Sequence, residues 1–140
     1  MQVGKRMKTG LILASPSDSV RTAWGLLREH QIRHLPVVED GKLVGIITDR
    51  DIRLIFPSAI TGGQREQDPI DALEKVTVEE IMTKRVSTVA SEAPIADAAR
   101  LLLERRIGGL PVVQGEHLVG IITKDDIIAA FVEIMEGKYQ

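Results

Sequence analysis

The chain has 140 residues, with 18 basic and 20 acidic side chains and a formal net charge of −2. Hydrophobic residues make up 44% of it but aromatic residues only 3%, so the core must be aliphatic, and the basic excess and stacking rings of a nucleic-acid-binding protein are missing. The absence of cysteine excludes disulfides, thiolate metal sites and cysteine nucleophiles.

The first predicted elements are a strand at about residues 11–14 and an amphipathic helix from about Val20, whose apolar residues keep the i, i+3, i+4, i+7 spacing. Two β-rich runs follow at 35–38 and 43–48, joined by a polar turn. A second helix is predicted to begin after Thr48. The runs are apolar at consecutive positions, which indicates strands that are covered on both faces.

A polar segment with glycine and proline, residues 57–77, is predicted to link this unit to a second one. Its part up to Lys75 is expected to be loop or partly disordered. Thr77 and Glu80 then have the spacing of a capping box, which predicts a short helix. The elements of the second unit follow in the same order, with strands predicted at 86–89, 110–113 and 118–123.

A constant offset of 75 residues relates the two units, as 111 − 36 = 75 shows for the prolines of their Leu-Pro-Val-Val runs. Between residues 7–56 and 82–131, 19 of 50 ungapped positions are identical, which chance does not produce. We therefore expect an α/β (α+β) fold. Two β-α-β-β-α units would pack with pseudo-twofold symmetry and leave a cleft along the repeat interface.

A hydroxyl and a carboxylate stand where a strand ends and a helix begins in each copy, as Thr48 with Asp51 and Thr123 with Asp126. This spacing is also ordinary helix capping, which is worth about 1 kcal/mol without any ligand. A ligand would find a phosphate-attracting helix start, a hydroxyl, and a carboxylate able to accept both hydrogens of a ribose diol. The recurrence of the pattern favours ligand binding.

The runs Leu-Pro-Val-Val, Leu-Val-Gly-Ile-Ile-Thr and Asp-Ile, present in both copies, resemble the CBS domain, a motif that occurs in pairs. The resemblance predicts one CBS motif at 7–56, the linker at 57–77 and a second motif at 78–135. The segment from Ile46 through the long linker is most similar to the CBS region of bacterial acetoin-utilisation proteins. Their further C-terminal domain is not expected here.

The resemblance implies an adenine-nucleotide site in each copy. The Thr and Asp would hold phosphate and ribose, the backbone around the Leu-Pro pair would line the adenine pocket, and residues of the first strand would close it. The implied ligand-binding residues are Lys8, Leu11, Arg33, His34, Leu35, Pro36, Thr48, Arg50, Asp51, Thr83, Val86, Thr88, Gly108, Gly109, Leu110, Pro111, Thr123, Lys124 and Asp126.

The two sites are not expected to be equivalent. Arg33-His34 correspond to Gly108-Gly109, so the second pocket has fewer side-chain atoms. Asp49-Arg50 correspond to Lys124-Asp125, which moves the phosphate-binding cation by one position. A solvated helix-start position remains an equal alternative for Arg50.

The function implied is a regulatory module that binds AMP, ADP, ATP or a related adenosyl compound, such as S-adenosylmethionine or NAD, and then changes conformation or its contact with an unidentified regulated protein. The alternative is a structural dimerisation module that binds nothing. No metal or required cofactor is expected. An enzyme is not expected either, because His34 has no marked catalytic partner and no Walker A, G-x-G-x-x-G, H-E-x-x-H or G-x-S-x-G motif occurs.

The last helix, residues 127–135, is apolar around more of its circumference than one buried stripe requires. This excess predicts a homodimer, with deep burial inside the repeat pair as the alternative. No apolar run has the length of a membrane span or a signal peptide. We therefore expect a cytoplasmic protein without a membrane or nucleic-acid partner.

Overall fold

A β-hairpin that runs directly into a helix occurs twice in the computed structural model, which describes residues 1–56 and 69–138. The chain divides into two units. Ile12–Val86 form the first-copy unit, and Met1–Leu11 together with Ser87–Gln140 form the second-copy unit. Each unit therefore contains the helices and hairpin of one sequence copy together with the first residues of the other copy.

The first-copy unit is built around a two-stranded antiparallel sheet. Its core contains Leu35 and Val37 of one strand and Ile47 of the other, all fully buried. Asp40 and Gly41 both have positive φ in the turn that joins the strands. The elements are α1 (Val20–Glu29), β1 (His34–Glu39), β2 (Lys42–Thr48), α2 (Asp49–Ile55), α3 (Pro69–Glu74) and α4 (Val78–Ile81).

The second-copy unit has a three-stranded sheet in which the first strand is parallel and the last antiparallel to the middle one. Leu110, Val112 and Ile122 fill its core, with Val3 of the N-terminal segment. A 3₁₀ helix spans Val3–Lys5. The other elements are β3 (Val89–Ala90), α5 (Ile95–Arg105), β4 (Gly109–Gln114), β5 (His117–Thr123) and α6 (Lys124–Met135).

The two hairpins have the same register. His34 pairs with Thr48 in one and Gly109 with Thr123 in the other, and both shift register between the two valines of the Leu-Pro-Val-Val run. The predicted α/β class and the repeated order of hairpin and helices are confirmed. The predicted helix starts after Thr48 and Thr123 are confirmed as well.

The predicted first strand of each copy is wrong in extent. In the second copy, regular strand structure is limited to Val89–Ala90. In the first copy, only Ala14 bridges to β1, at Val37. Its N–H donates to Pro36 and its C=O accepts from Val38, at 3.0 and 2.9 Å, so one residue makes the contact that a full strand was expected to make.

The prediction of a loop up to Lys75 is wrong for Pro69–Glu74, which form α3. Proline is accommodated at the first helical position, where its missing N–H costs nothing. Leu73 anchors this helix in the core at 1% exposure, and Glu74 forms an ion pair with Arg21 of α1 at 3.6 Å. The rest of the predicted loop, residues 57–68, lies outside the described residues. The capping helix after Thr77 is confirmed as α4.

Several large apolar side chains of α6 lie at the surface. Ile128, Phe131 and Met135 are 60%, 61% and 69% exposed, and their spacing places them along one face of the helix. Ala130, in contrast, is buried. In the described ranges, no helix combines the length and apolarity needed to cross a membrane.

Candidate functional site

Thr48 and Asp51 cap α2 in the first-copy unit. The Asp51 N–H donates to the Thr48 hydroxyl at 3.1 Å, and the Thr48 N–H donates to Oδ2 of Asp51 at 2.9 Å. The capping function that the sequence left open is therefore present. Within residues 1–56 and 69–138, the other carboxylate oxygen of Asp51 has no ion-pair partner, which leaves an acceptor for a ligand.

Thr123 and Asp126 form the equivalent capping box at the start of α6. Oδ2 of Asp126 accepts from the Thr123 N–H at 2.8 Å and from its hydroxyl at 3.0 Å. Here the remaining oxygen is engaged, because the Lys8 ammonium lies 3.2 Å from Oδ1. The same carboxylate therefore has different surroundings in the two units.

A backbone segment packs on the glycine near the end of β2 and β5. A Cβ added at Gly45 would lie 3.0 Å from the carbonyl oxygen of Thr83, and one at Gly120 would lie 3.0 Å from that of Lys8. The sequence left open whether a ligand or a backbone requires these glycines. In the described structure the neighbour is backbone, together with a methionine sulfur.

Lys8 and Thr83 are held by the same pair of hydrogen bonds. Lys8 exchanges N–H···O bonds with Ile121 at 2.8 and 3.0 Å, and Thr83 exchanges them with Ile46 at 2.9 and 3.0 Å. Lys8 therefore joins the Thr123–Asp126 motif, and Thr83 joins the unit of Thr48 and Asp51. The sequence grouped Lys8 with the first copy and Thr83 with the second, whereas in the structure each bridges to the strand of the other copy.

The segment before each Leu-Pro pair lies beside the Thr–Asp motif of its own unit. The Arg33 carbonyl accepts from the Asp49 N–H at 3.1 Å, and the Gly108 carbonyl accepts from the Lys124 N–H at 3.0 Å. Strand pairing also sets His34 opposite Thr48, and Gly109 opposite Thr123. These predicted residues are brought together.

Other predicted residues are placed differently. Leu35 and Leu110 lie in the hydrophobic cores with 0% of the whole residue exposed, so neither presents surface to a ligand in this structure. Leu11, Val86 and Thr88 lie in irregular backbone, at or next to the chain positions where one unit ends and the other begins. Their contact with a ligand stays a prediction, as does that of Pro36, Pro111, Arg50 and Lys124.

His34 has a perturbed environment at the start of β1. Burial lowers its pKa below the ordinary value, Arg33 acts in the same direction, and Asp49 and Asp51 oppose the shift. The imidazole is therefore neutral at pH 7 and does not add a cation to the site. Gly109 occupies the equivalent position in the second-copy unit.

A cavity of about 350 Å³ opens between the end of α1 and the start of α2. Sequence reasoning missed it because its lining combines residues of α1 and α2, among them Trp24, Arg28 and Arg53, with residues 31–33 that follow α1. Asp49 lines it too, whereas Asp51, two residues later, projects from the opposite side of the helix. The predicted ligand-binding residue Arg33 also lines the cavity, whereas Thr48 and Asp51 are not among its lining residues.

The described ranges contain no group of three or more histidine and carboxylate side chains that could hold a metal ion. Asp49 is instead paired with Arg53, with 3.6 Å between the charged atoms. The Thr–Asp motifs offer hydroxyl and carboxylate oxygens but no imidazole pair. These oxygens can accept hydrogen bonds from hydroxyl groups of a ligand.

The profile of the CBS domain matches residues 2–58 and 78–133 of this chain. The acetoin utilization protein AcuB of Vibrio cholerae has a similar structure, with a TM-score of 0.78 and 27% identity over 97% of this chain and 93% of that one. Both parts of the resemblance found in the sequence are thereby confirmed.

Two further solved structures of similar proteins contain ligands. CBSX2 in complex with AMP has a TM-score of 0.79 and 33% identity, over 96% of this chain and 98% of that one. The CBS domain pair of MJ0100, in complex with 5′-methylthioadenosine and S-adenosyl-L-methionine, has a TM-score of 0.77 and 34% identity, over 94% and 96% of the two chains. The three ligands share an adenosine group.

Proposed function

Because this chain belongs to the CBS domain family, we propose that it is a regulatory module that binds an adenosine-containing ligand at the Thr–Asp motif of each unit. Asp51 and Asp126 accept hydrogen bonds from the ribose hydroxyls. Thr48 and Thr123 contact the phosphate or the 5′ substituent. AMP, ADP, ATP and the adenosyl compounds S-adenosylmethionine and NAD are the ligands to test.

The observation that carries this proposal is the geometry of Asp51. One of its oxygens caps α2, and the other has no ion-pair partner in the described part of the chain. The carboxylate is half-buried and held in one orientation by the Thr48 N–H at 2.9 Å. An oriented carboxylate with a free acceptor suits a diol, because hydrogen bonds to a charged acceptor are roughly twice as strong as neutral ones.

Regulation requires that the ligand prefer one conformation, since a ligand shifts an equilibrium only through its differential affinity for two states. We propose that binding changes the contact of the module with a regulated protein in the cytoplasm, without breaking a covalent bond. Formation of a product from ATP and Mg²⁺ by the purified protein would contradict this part of the proposal.

Thermal unfolding with each nucleotide tests ligand binding. A ligand at 100 times its dissociation constant stabilises the fold by about 2.7 kcal/mol, which is a clear shift in Tm. We expect AMP to produce this shift with the wild type and not with Asp51→Ala plus Asp126→Ala. The control is Glu80→Ala, which removes a similar capping bond outside both motifs. In the wild type, the Thr77 N–H donates this bond to the Glu80 carboxylate at 2.7 Å.

A second candidate function, a dimerisation module without ligand, is favoured by the exposed face of α6. Exposed apolar groups of this kind are typical of interfaces. We propose a homodimer in either case, and expect Phe131→Asp to yield a monomer by light scattering. Leu103→Asp, at a leucine of α5 that is 78% exposed, is the matched control and leaves the dimer intact. A monomeric wild type would contradict the proposed dimer.

A further inference from the structure

We propose that Lys8 makes the second-copy site selective for ligands that carry a phosphate group, whereas the first-copy site, with Thr83 in the equivalent position, lacks this selectivity. The inference rests on the proposed function and assigns ligands of different charge to the two sites. It is based on the ion pair between Lys8 and Asp126, the one ion pair that a Thr–Asp carboxylate forms in the described ranges.

Residues 8 and 83 have equivalent backbone placement in the two units. Residues 8 and 83 are related by the repeat offset, 83 − 8 = 75, and each forms a two-way hydrogen-bonded bridge to the same position of its strand, Ile121 or Ile46. The glycine that admits the bridging segment is also shared. The side chain at this position can therefore be exchanged between the units without a change in backbone geometry.

A ribose diol would compete with Lys8 for Asp126. Thr123 occupies Oδ2 and the Lys8 ammonium occupies Oδ1, so a ribose diol must displace Lys8 or share its acceptor. The Asp126 side chain is only 11% exposed, but that of Lys8 is 62% exposed, so the lysine is the partner that can turn away. In the first-copy unit, Thr83 brings no competing cation to Asp51.

The charge of the ligand decides whether the displaced Lys8 ammonium finds a new partner. When adenosine, which is uncharged, displaces Lys8, the ammonium loses its partner and gains none. When AMP binds, its phosphate supplies a new partner for the displaced ammonium, and the lost ion pair is replaced. Lys8 therefore penalises adenosine and favours AMP at the same site. Other cations near the motifs, Lys124 in one unit and Arg50 in the other, do not change when residue 8 or 83 is exchanged.

The test measures the ratio of the adenosine Kd to the AMP Kd by calorimetry, one site at a time. Asp51→Ala leaves only the second-copy site, and Asp126→Ala leaves only the first-copy site. In the Asp51→Ala background, Lys8→Thr is expected to lower the ratio by roughly fivefold, about what one partly exposed ion pair contributes. In the Asp126→Ala background, Thr83→Lys is expected to raise the ratio. Lys8→Arg keeps the charge and should keep the ratio.

The outcomes separate this inference from the function on which it rests. Binding of AMP with a ratio that Lys8→Thr leaves unchanged overturns the role of Lys8 and leaves the proposed function intact. A wild type that binds neither adenosine nor any of AMP, ADP, ATP, S-adenosylmethionine and NAD overturns both. Lys8 is exposed, so Lys8→Thr is expected to keep the wild-type Tm. If Lys8→Arg lowered the ratio as much as Lys8→Thr, the effect would be due to packing and not to charge, and the inference would be contradicted.

Discussion

The first-copy and second-copy units share a hairpin register, a bulge position and a capping box, but they differ in the side chains around the carboxylate. In one motif His34 pairs with Thr48, and Thr83 bridges to Ile46 of the same strand. In the other, Gly109 pairs with Thr123, and Lys8 forms an ion pair with Asp126. The shared features are backbone interactions, which the duplicated sequence preserves. The differences are at positions where a side chain meets the site, so the two units offer one scaffold with two chemistries.

The largest expected loss of unfolding free energy comes from variants that test whether the backbone segment packs equally tightly on the glycine of both units. Gly45→Ala and Gly120→Ala would each place a Cβ 2.5 Å from a methionine sulfur and 3.0 Å from a carbonyl oxygen. Overpacking of this kind costs about 1–3 kcal/mol, and we expect similar losses of unfolding free energy for both variants in urea.

The control for these variants is Gly25→Ala in α1, where nothing lies within 4 Å of the added Cβ. Removing a glycine from a helix interior is expected to stabilise the fold by about 0.5–1 kcal/mol. If Gly45→Ala proved as harmless as Gly25→Ala, the tight contact with the Thr83 segment would be refuted.

The next effect sharpens the comparison of the two carboxylates. Asp51→Ala and Asp126→Ala each remove a cap, and each should lower the unfolding free energy by about 1 kcal/mol. Asp126→Ala also breaks the ion pair with Lys8, so its loss should depend on salt more than that of Asp51→Ala. Denaturation in urea at low and high salt measures this difference, and equal salt dependence would contradict it.

The smallest effect concerns His34, which only the first-copy unit has. Its pKa is lowered in the folded protein, so below pH 6.5, the ordinary value, the unfolded chain binds a proton that the folded chain does not. The unfolding free energy should therefore fall as the pH falls through 6.5, down to the lowered pKa. His34→Gln should flatten this dependence, and an unfolding free energy that falls equally steeply in the variant would contradict the prediction.

The hairpins and the helix starts could be predicted because they depend on local sequence. The Thr–Asp spacing places a capping box, and the turn before Lys42 fixes the strand pairing. Helix α3 was not predicted, because Pro69 was interpreted as a breaker when it begins the helix, and because the burial of Leu73 depends on tertiary contacts.

The contact of Lys8 with Asp126 could not be predicted either. The repeat pairs Lys8 with Thr83 as equivalents, but it does not say which motif either residue joins, since that depends on a bridge between segments far apart in the chain. The cavity beside Trp24 was missed for a related reason. It requires α1 and α2 to be placed side by side, which no local pattern encodes.

The central claim is that the Thr–Asp motif of each unit holds the ribose of an adenosine-containing ligand. A crystal structure of the protein grown with AMP tests it directly. The account predicts nucleotide density with the ribose hydroxyls within hydrogen-bond distance of Asp51 or Asp126. Density for AMP only in the cavity lined by Trp24 and Arg28, with both carboxylates untouched, would contradict it.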